Sequence, residues 1–334
     1  MRFSIRNLTS VATIAAAALV LAGCSGGETS ASAGGASAGA SEVTELKVGV
    51  TPIANAANLY IAIEQGYFTE EGLDVTPTII QTASTAIPSL LNDELQLALM
   101  TSVPTVTAAS KGLPISVVSG SDRYPTDGAA DTTALVVSPE SGISSLADVA
   151  GKTVALVGLK SAPDLALRVV LEEAGVDPSD VEMVEIAYPD MVSALQSNRV
   201  DAAFVVDPFL SAAKAAGLDV VSQPFTEGLG GMNALLWVGS DAFVQANPET
   251  AGKFATAIKK AGEYANENPE AVREVLPEFT SLSPEAIAKS IIPSWDGEIS
   301  DTDIQAYVDL MKREGFIAED APGVEDLLWV PSGN

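Results

Sequence analysis

The sequence predicts an α/β protein that consists of two α/β lobes and a helical tail. Three observations lead to this prediction. Short apolar segments rich in β-branched residues alternate with longer segments of helical apolar spacing, the alternation starts a second time near residue 133, and only helical spacing follows residue 240. Strands that alternate with helices are typical of a mainly parallel sheet covered by helices.

The first lobe begins with a short apolar alternation at residues 46–50, which predicts a strand, followed by a helix over 53–64. Gly66 is expected to end this helix, because glycine adopts the left-handed conformation of a helix C-terminus without strain. By the same criteria, further strands are predicted at 73–80, 96–100 and 115–118, and further helices at 82–92 and 103–110.

The second lobe is predicted from the second run of alternation. Its strands are expected at 133–137, 154–157, 181–186, 202–206 and 234–238, its helices at 164–174, 191–197 and 209–216, and the tail helices at 249–266, 269–276, 284–291 and 303–315. Segments 133–137 and 234–238 bracket this lobe, so we expect the chain to cross between the lobes there. The predicted boundaries are 44–134 plus 237–334 for the first lobe and 135–236 for the second.

The N-terminal residues 1–23 have the pattern of a bacterial lipoprotein signal peptide. Arg2 and Arg6 precede an apolar stretch, and small residues lead up to Cys24, as at a signal cleavage site. The stretch is shorter than the roughly 20 apolar residues that a membrane-spanning helix needs. Cys24 is the only cysteine, and we expect it to be lipidated and to anchor the protein on the extracytoplasmic face of the cell membrane. The alternative is an ordinary secretory signal with an incidental cysteine.

The region that begins at Cys24 is predicted to be a flexible tether. Residues 24–43 consist mostly of Gly, Ser and Ala and show no apolar period. A Gly/Ser coil of this length spans about 20 to 25 Å. Such a tether would hold the lobes near the membrane and still let them reorient.

The composition excludes several classes of function. Asp and Glu number 44 against 17 Lys and Arg, whereas nucleic-acid binding depends on clustered basic residues. The chain has no histidine and no second cysteine, which excludes Ser-His-Asp and Cys-His catalysis and the usual zinc sites. We therefore expect a protein that is not an enzyme, holds no metal or cofactor and binds no nucleic acid.

Polar side chains that follow the predicted strands are the candidate ligand-binding residues. Ligands of open α/β sheets bind outside the carboxyl ends of the strands, where helix N-termini supply backbone donors. In the first lobe this rule selects Thr51, Asn55, Asn58, Thr82, Ser84, Thr85, Thr101, Ser102, Ser121 and Asp122. In the second lobe it selects Ser161, Ala162, Tyr188 and Asp207. Ser84, Ser161 and Asp190 are also good helix N-caps, which is an alternative explanation for them.

Three segments in order along the chain carry a resemblance to a known family. They are 62–75 (AIEQGYFTEEGLDV), 144–152 (SSLADVAGK) and 200–209 (VDAAFVVDPF). Over residues 46–330 the chain resembles the substrate-binding proteins of ABC importers for nitrate, sulfonates, taurine and thiamine precursors. The resemblance implies the type II periplasmic-binding-protein fold, in which two lobes joined by two crossing strands close around a ligand. It also implies a monomer that has no cofactor, binds a small polar molecule and delivers it to an ABC permease.

Two features of the sequence bear on the class of ligand: Asp207 and the scarcity of arginine. Asp207 precedes Pro208 and suits a helix N-cap, whereas the resemblance implies that the matching acidic residue contacts an amine or ring nitrogen of the ligand. Val206 stands where the sulfonate-type proteins commonly have tryptophan, and Arg123 is the only arginine in the candidate loops. Val206 and the scarcity of arginine weigh against a sulfonate or taurine. Both classes stay open, so the expected ligand is sulfonate-like or taurine-like, or else aminopyrimidine-like.

Two other functions stay open at this point. One is a pyrimidine-synthesising enzyme of the same fold, although the resemblance implies that such chemistry requires histidine, which this chain lacks. The other is a ligand sensor that acts on a signalling partner.

Overall fold

Two five-stranded sheets organise the computed structural model, which describes residues 43–80, 83–321 and 327–329. The strands are β1 (Thr44–Val50), β2 (Leu73–Ile79), β3 (Leu97–Thr101), β4 (Ile115–Arg123), β5 (Thr133–Val137), β6 (Thr153–Leu156), β7 (Glu182–Glu185), β8 (Ala202–Val206), β9 (Asp219–Ser222) and β10 (Asn233–Ser240). The predicted signal peptide, Cys24 and the tether up to residue 42 lie outside the described residues.

Helices cover both sheets. They are α1 (Ala57–Glu64), α2 (Tyr67–Glu70), α3 (Ala83–Leu91), α4 (Ser102–Ala109), α5 (Ala162–Glu173), α6 (Tyr188–Gln196), α7 (Phe209–Ala215), α8 (Pro224–Leu229), α9 (Asp241–Ala246), α10 (Pro248–Glu267), α11 (Pro269–Phe279), α12 (Pro284–Lys289) and α13 (Asp301–Arg313). The long helix α10 buries Phe254, Ile258 and Ala261 at helical spacing, so one apolar stripe packs on the first lobe.

The two sheets repeat one topology. In the first, with order β2-β1-β3-β10-β4, β10 runs antiparallel between β3 and β4 and the other neighbours are parallel. In the second, with order β7-β6-β8-β5-β9, β5 has the same antiparallel position. Four strands of each sheet therefore share one direction, which confirms the predicted mainly parallel sheets. The inner strands β3, β5, β8 and β10 are almost wholly buried, as expected of strands covered on both faces.

The chain crosses between the sheets immediately before β5 and before β10. Residues 124–132 form the first crossing and residues 223–232 the second. The crossings precede the predicted segments 133–137 and 234–238, because those segments pair with strands of a single sheet. At the crossings, the Tyr124 N–H donates to the Met232 carbonyl at 2.9 Å and the Gly231 N–H donates to the Tyr124 carbonyl at 3.0 Å. The lobe boundaries at 134/135 and 236/237 stay a prediction.

Helix α5 is buried on two sides. Leu167 and Leu171 pack in the core of the second sheet, whereas Ala162 and Leu165 belong to the large apolar core of the first lobe. The sequence predicts an amphipathic helix here, and the structure shows why its apolar surface is wide. Because α5 lies between the lobes, it needs an apolar side toward each of them.

Several element bounds differ from the prediction. Helix α6 begins at Tyr188 rather than near residue 191, so Asp190 lies inside its first turn and is not the N-cap. Pro189 favours this earlier start, because proline suits the first turn of a helix. The elements α2, α8, α9 and β9 have four to six residues each, which is too short for an apolar period to be recognised.

Candidate functional site

Asn55 and Asp122 form the centre of the candidate site at the carboxyl ends of the first sheet. Asn55 follows β1 and Asp122 lies near the end of β4. The Asn55 side-chain amide Nδ2 donates to Asp122 Oδ2 at 2.6 Å. Since the two residues are 67 positions apart, the sheet and not the local sequence brings them together.

Asp122 is a buried carboxyl group with one oxygen that lacks a protein partner. The side chain is 3 % exposed, and Oδ1 has no hydrogen bond. Burial raises the pKa of Asp122 to about 8; the hydrogen bond from Asn55 opposes this shift and the negative charge of Asp296 adds to it. At neutral pH the group is mostly protonated, so it can donate one hydrogen bond and accept others. A buried polar group without a partner costs about 1 to 3 kcal/mol, which a suitable ligand would offset.

Other buried polar atoms in this part of the first lobe also lack partners. Asn58, in the first turn of α1, is 1 % exposed, and neither Nδ2 nor Oδ1 makes a hydrogen bond. The Ser121 hydroxyl, next to Asp122 in β4, is in the same state. Such atoms are rare in native interiors. Their concentration among the predicted site residues marks this end of the sheet as polar and incompletely paired.

Arg123 is already occupied by protein partners. Its Nε donates to Asp296 at 2.5 Å and its Nη1 donates to Asp303 at 2.9 Å. Nη1 also donates to the Gly231 carbonyl and Nη2 to the Glu298 carbonyl. Two carboxylates outweigh the charge of one guanidinium, so Arg123 offers no free positive charge to a ligand.

Residues 295–298, between α12 and α13, form the back of the site and are called the 295–298 segment below. Trp295 is 1 % exposed, its Nε1 donates to the Asn55 carbonyl at 2.9 Å, and its backbone forms a β-bridge with Asp122. Asn266 of α10 accepts from the Trp295 N–H and donates to its carbonyl. A loop from the tail therefore fixes both central residues of the site.

Asn233, the first residue of β10, connects the site to α4 and α13. Its carbonyl accepts from the Ser102 hydroxyl at 2.6 Å and from the Tyr307 hydroxyl at 2.5 Å. Its side-chain Nδ2 donates to the Glu298 carbonyl at 2.8 Å. Ser102 is thus in contact with the network around Asp122, but its hydroxyl is used by the protein.

Two tyrosines bring aromatic rings toward this region. Tyr124, at the start of the first crossing, is buried and stacks on Phe225 with ring centroids 4.5 Å apart. Tyr188, at the N-terminus of α6, stacks on Phe209 at 6.0 Å, and burial raises its pKa to about 12. Burial also raises the pKa of Tyr124 well above its usual range, with added contributions that include Asp122 and Tyr188. Asp122 of the first lobe and Tyr188 of the second thus both act electrostatically on Tyr124.

The N-terminus of α5 already holds a carboxylate. Ser161 has the N-cap position, but its hydroxyl donates to the Gly158 carbonyl and makes no capping bond. Instead, Asp164 Oδ2 accepts from the Lys160 N–H at 2.7 Å, and Asp164 Oδ1 accepts from Arg168 Nε at 2.6 Å. Because a paired carboxylate already lies at this positive helix end, the end has little attraction left for a second anion.

Asp207 is exposed and lies one residue before the N-cap of α7. Its Oδ1 accepts from the Ser211 N–H at 2.9 Å and from the Ser211 hydroxyl at 2.8 Å. Helix α7 begins at Phe209 with Pro208 as its N-cap residue, so the expectation that Asp207 has the N-cap position is wrong. The Asp207 carboxylate thus caps α7 by accepting hydrogen bonds from Ser211, four residues later, although Asp207 itself lies outside the helix. The role of Asp207 in ligand binding stays a prediction.

The remaining candidates lie at the edges of the site. Thr51 and Thr101 are half-buried at the ends of β1 and β3, and Thr85 is exposed on α3. Thr82 and the side chain of Ser84 lie outside the described residues.

A separate cavity of about 540 Å³ is lined by residues that include Lys47, Asp74 and Gln96. It lies at the amino ends of β1 and β2 and is therefore distinct from the site.

Within residues 43–80, 83–321 and 327–329, no three His, Cys, Asp or Glu side chains are grouped to hold a metal ion. None of the helices in these ranges is long and apolar enough to cross a membrane.

Comparison with known proteins assigns the chain to a family. The sequence profile described as NMT1/THI5 like matches residues 53–272, which is more than half of the chain. The chain belongs to the NMT1/THI5-like family.

Two relatives and one solved structure illustrate what this NMT1/THI5-like protein is similar to. It is 30 % identical over 248 residues to the formylaminopyrimidine-binding protein of Halalkalibacterium halodurans, covering 70 % of each chain. It is 26 % identical over 201 residues to the taurine-binding periplasmic protein of Escherichia coli, covering 60 % of each. The structure of the periplasmic aliphatic sulphonate binding protein SsuA from Escherichia coli matches with a TM-score of 0.70 at 16 % identity, covering 85 % of this chain and 97 % of that one. The fold is thus the type II fold of periplasmic binding proteins.

Sequence reasoning misses four residues of the site in this NMT1/THI5-like protein: Asn233, Trp295, Asp296 and Tyr307. Two of them have a recognisable signal. Trp295 is a large aromatic residue in a loop that also contains Pro and Gly, and Asn233 is a polar residue directly before an apolar strand. The structure shows that both are buried and make hydrogen bonds at the site, Trp295 from within the apolar core of the first lobe.

Proposed function

We propose that this protein is the solute-binding lipoprotein of an ABC importer and that its ligand is an aminopyrimidine. The observation that carries the ligand class is Asp122, a buried carboxyl group with an unpartnered Oδ1 and no cation of its own. A carboxyl group in this state is best satisfied by a ligand edge that both donates and accepts hydrogen bonds.

An aminopyrimidine has such an edge. Its ring nitrogen accepts a hydrogen bond from the protonated carboxyl while the adjacent exocyclic amine donates to the other carboxyl oxygen. The pairing also forms when the proton moves to the ring, and it is then charge-assisted. Tyr124 follows the strand end that carries Asp122, and Tyr188 interacts electrostatically with Tyr124. These aromatic side chains would pack favourably against a planar ring.

Anionic ligands fit this site less well. A sulfonate or nitrate has only acceptors, and the arginine beside the site is neutralised by Asp296 and Asp303. The positive end of α5 is occupied by Asp164. An anion would therefore approach a region of net negative charge and find no bidentate cation.

The relatives support a solute-binding role and both ligand classes. The name of one relative gives formylaminopyrimidine as its ligand, and that of another gives taurine. Both are binding proteins, which favours binding over catalysis. The charge around Asp122 favours the aminopyrimidine class of the two.

We place the protein on the extracytoplasmic face of the membrane, as a monomer anchored through a lipid on Cys24, from which it delivers its ligand to an ABC permease. The tether that begins at Cys24 would keep the lobes at high local concentration near the permease. Metabolic labelling with radioactive palmitate in the native host should label the wild-type protein and leave Cys24→Ala unlabelled. Label in both would disprove the anchor at Cys24.

Isothermal titration calorimetry tests the ligand class. The panel contains a formylated aminopyrimidine, the same compound without its formyl group, a methylpyrimidine without the exocyclic amine, taurine, ethanesulfonate and nitrate. We expect the aminopyrimidines to bind most tightly and the compound without the amine to bind at least about tenfold more weakly, which corresponds to 1.4 kcal/mol. Tighter binding of ethanesulfonate or nitrate would disprove the proposed class.

Variants of Asp122 connect binding to the site. Asp122→Ala should reduce aminopyrimidine affinity at least about tenfold, whereas Asp122→Asn keeps one donor and one acceptor and should retain most of it. Asp207→Ala, measured in parallel, shows whether the exposed carboxylate of the second lobe takes part. Equal affinity of Asp122→Ala and the wild type would exclude Asp122 as a ligand contact.

A further inference from the structure

Asp296 connects the buried carboxyl group of the site to the neighbouring arginine. Its Oδ2 accepts from Arg123 Nε at 2.5 Å, and its Oδ1 accepts from the Glu298 N–H at 3.2 Å. Oδ1 is thus held within the 295–298 segment and Oδ2 by Arg123 of β4. The negative charge of Asp296 also contributes to the raised pKa of Asp122, so its field reaches the site.

Arg123 does not pair with Asp122, although the two are neighbours in the chain. A buried carboxyl group with a free oxygen is expected to pair with a cation when one is near, and Arg123 directly follows Asp122 in the chain. Arg123 instead bonds to Asp296 and Asp303 and to two backbone carbonyls. The formal charge of this group of three side chains is −1.

We propose that Asp296 is a specificity-determining residue, which neutralises Arg123 and thereby makes the site select against anionic ligands. The inference rests on the proposed function in that it takes Asp122 to be the ligand contact. Asp296 acts through Arg123 and through its own charge. It is a positioning residue and does not itself bind the ligand.

Three titratable groups interact electrostatically with Asp122: Asp296 of the 295–298 segment, Tyr124 at the start of the first crossing and Tyr307 of α13. Arg123 and Asp303 interact in turn with Tyr307. Replacement of Asp296 by a neutral residue removes one negative charge and leaves Arg123 bonded to Asp303. The charge of the group then changes from −1 to 0. A unit charge at roughly 10 Å and an effective dielectric constant of about 20 changes the affinity of an anion about tenfold.

The test compares ligand selectivity and not affinity alone. Calorimetry, or competition where binding is weak, gives the affinities of an aminopyrimidine and of ethanesulfonate for the wild type and for Asp296→Asn. We expect the ratio of ethanesulfonate affinity to aminopyrimidine affinity to rise at least about fivefold in Asp296→Asn. A purely structural loss would weaken both ligands and leave the ratio unchanged.

Three further variants make the test specific. Glu298→Gln removes a negative charge from the same segment, where the side chain pairs with Lys259 and not with Arg123 and is more exposed than that of Asp296. Because solvent screens this charge more strongly, the ratio should rise less than in Asp296→Asn. Asp296→Glu keeps the charge and should leave the ratio near that of the wild type. In the double variant Arg123→Gln/Asp296→Asn, the gain in ethanesulfonate affinity should disappear. Thermal unfolding verifies that each protein is folded.

The outcomes separate this inference from the proposed function. If the wild type binds the aminopyrimidine and the ratio is the same in Asp296→Asn, the role of Asp296 is disproved and the proposed function stands. If the wild type binds no aminopyrimidine, the proposed ligand class is disproved, and ethanesulfonate affinity alone then decides the role of Asp296. No gain in that affinity for Asp296→Asn, or an equal gain for Glu298→Gln, overturns the inference.

Discussion

At the scale of the residue, Asp122 should make the stability of the protein depend on pH. Its folded-state pKa is about 8, whereas an unfolded aspartate has a pKa of about 3.9. The folded state therefore holds a proton that the unfolded state has released between these values. The resulting stabilisation is complete below about pH 4 and is lost as the pH rises toward about 8.

Asp122→Asn, which is uncharged at every pH, should abolish this part of the decline. We expect the wild type to lose more stability than Asp122→Asn between pH 5 and pH 8 in denaturant unfolding. Arg123, Asp296, Asp303, Tyr124 and Tyr307 stay in place in the variant, so the difference between the two proteins reports Asp122 alone. Asp207→Asn, at an exposed carboxylate, is the matched control and should follow the wild type. Parallel curves for wild type and Asp122→Asn would contradict the prediction.

Trp295 should contribute to ligand affinity through its indole N–H. Trp295→Phe removes the 2.9 Å hydrogen bond to the Asn55 carbonyl and leaves an aromatic ring in the core. Because a single hydrogen bond contributes about 0.5 to 1.5 kcal/mol, and Asn55 in turn bonds to Asp122, we expect a loss of aminopyrimidine affinity of about two- to tenfold by calorimetry.

Trp237 provides the matched control for Trp295. It is fully buried in β10, and its Nε1 has no hydrogen-bond partner. Trp237→Phe removes an unsatisfied donor, which favours stability, and part of a buried ring, which lowers it. Ligand affinity should be unchanged. Equal losses of affinity in Trp237→Phe and Trp295→Phe would show that the effect comes from the core and not from the bond to Asn55.

The residues that sequence reasoning places in the centre of the site lie in the last residues of a strand or in the loop after it. Asn55, Ser121 and Asp122 satisfy the rule that ligands bind at strand ends. Trp295 and Asp296 come from the tail. Trp295 and its hydrogen-bond partner Asn55 are 240 positions apart in the sequence. No local pattern encodes such a contact. The neutralisation of Arg123 was missed for the same reason, because both of its carboxylate partners are in the tail.

At the scale of the element, apolar spacing predicts β5 and β8 to the residue and most helices to within a few residues. Both strands are continuous apolar runs bounded by polar residues, which is a strong signal. The antiparallel positions of β5 and β10 were not predicted, because spacing along a strand carries no information on its neighbours. The prediction lacks strand β9 and helix α8 because neither is longer than two periods of its pattern.

The end of α13 and the side of α5 form a polar contact between the lobes that should affect their separation. Arg313 Nε is 3.2 Å from Glu172 of α5 and 3.0 Å from Glu314, and Lys160 Nζ donates to the Gly315 carbonyl at 3.1 Å. Burial raises the pKa of Glu314, with the charge of Glu172 adding to the shift. Arg313 is thus the cation between two carboxyl groups that otherwise repel each other.

Arg313→Gln should weaken this contact. Because Arg313 is half exposed, we expect a small effect, of order 1 kcal/mol or less, in the form of a more open ligand-free protein with a larger radius of gyration in small-angle scattering at pH 7. Arg273→Gln removes a comparable surface pair with Glu270 within α11 and should leave the radius unchanged. A radius for Arg313→Gln equal to that of both the wild type and Arg273→Gln would contradict the role of the contact.

At the scale of the whole molecule, the two crossings are joined into one unit. Asp131 of the first crossing is buried, and its Oδ1 accepts from the Thr133 N–H and hydroxyl while its Oδ2 accepts from the N–H and hydroxyl of Thr226 in the second crossing. Together with the backbone bonds of Tyr124, these contacts tie the crossings to each other. A motion of one lobe against the other is therefore expected to bend both crossings together, as in hinge closure around a ligand.

Ligand binding should close the lobes by this motion. Asn55 and Asp122 belong to the first lobe and Tyr188 to the second, so a ligand that contacts both sides stabilises the arrangement in which the lobes are together. We expect the radius of gyration of the wild type to fall when a saturating aminopyrimidine is added, as measured by small-angle scattering. Asp122→Ala, which should bind weakly, shows no change at the same ligand concentration. An unchanged radius for the wild type at demonstrated saturation would mean that the site fills without closure of the lobes.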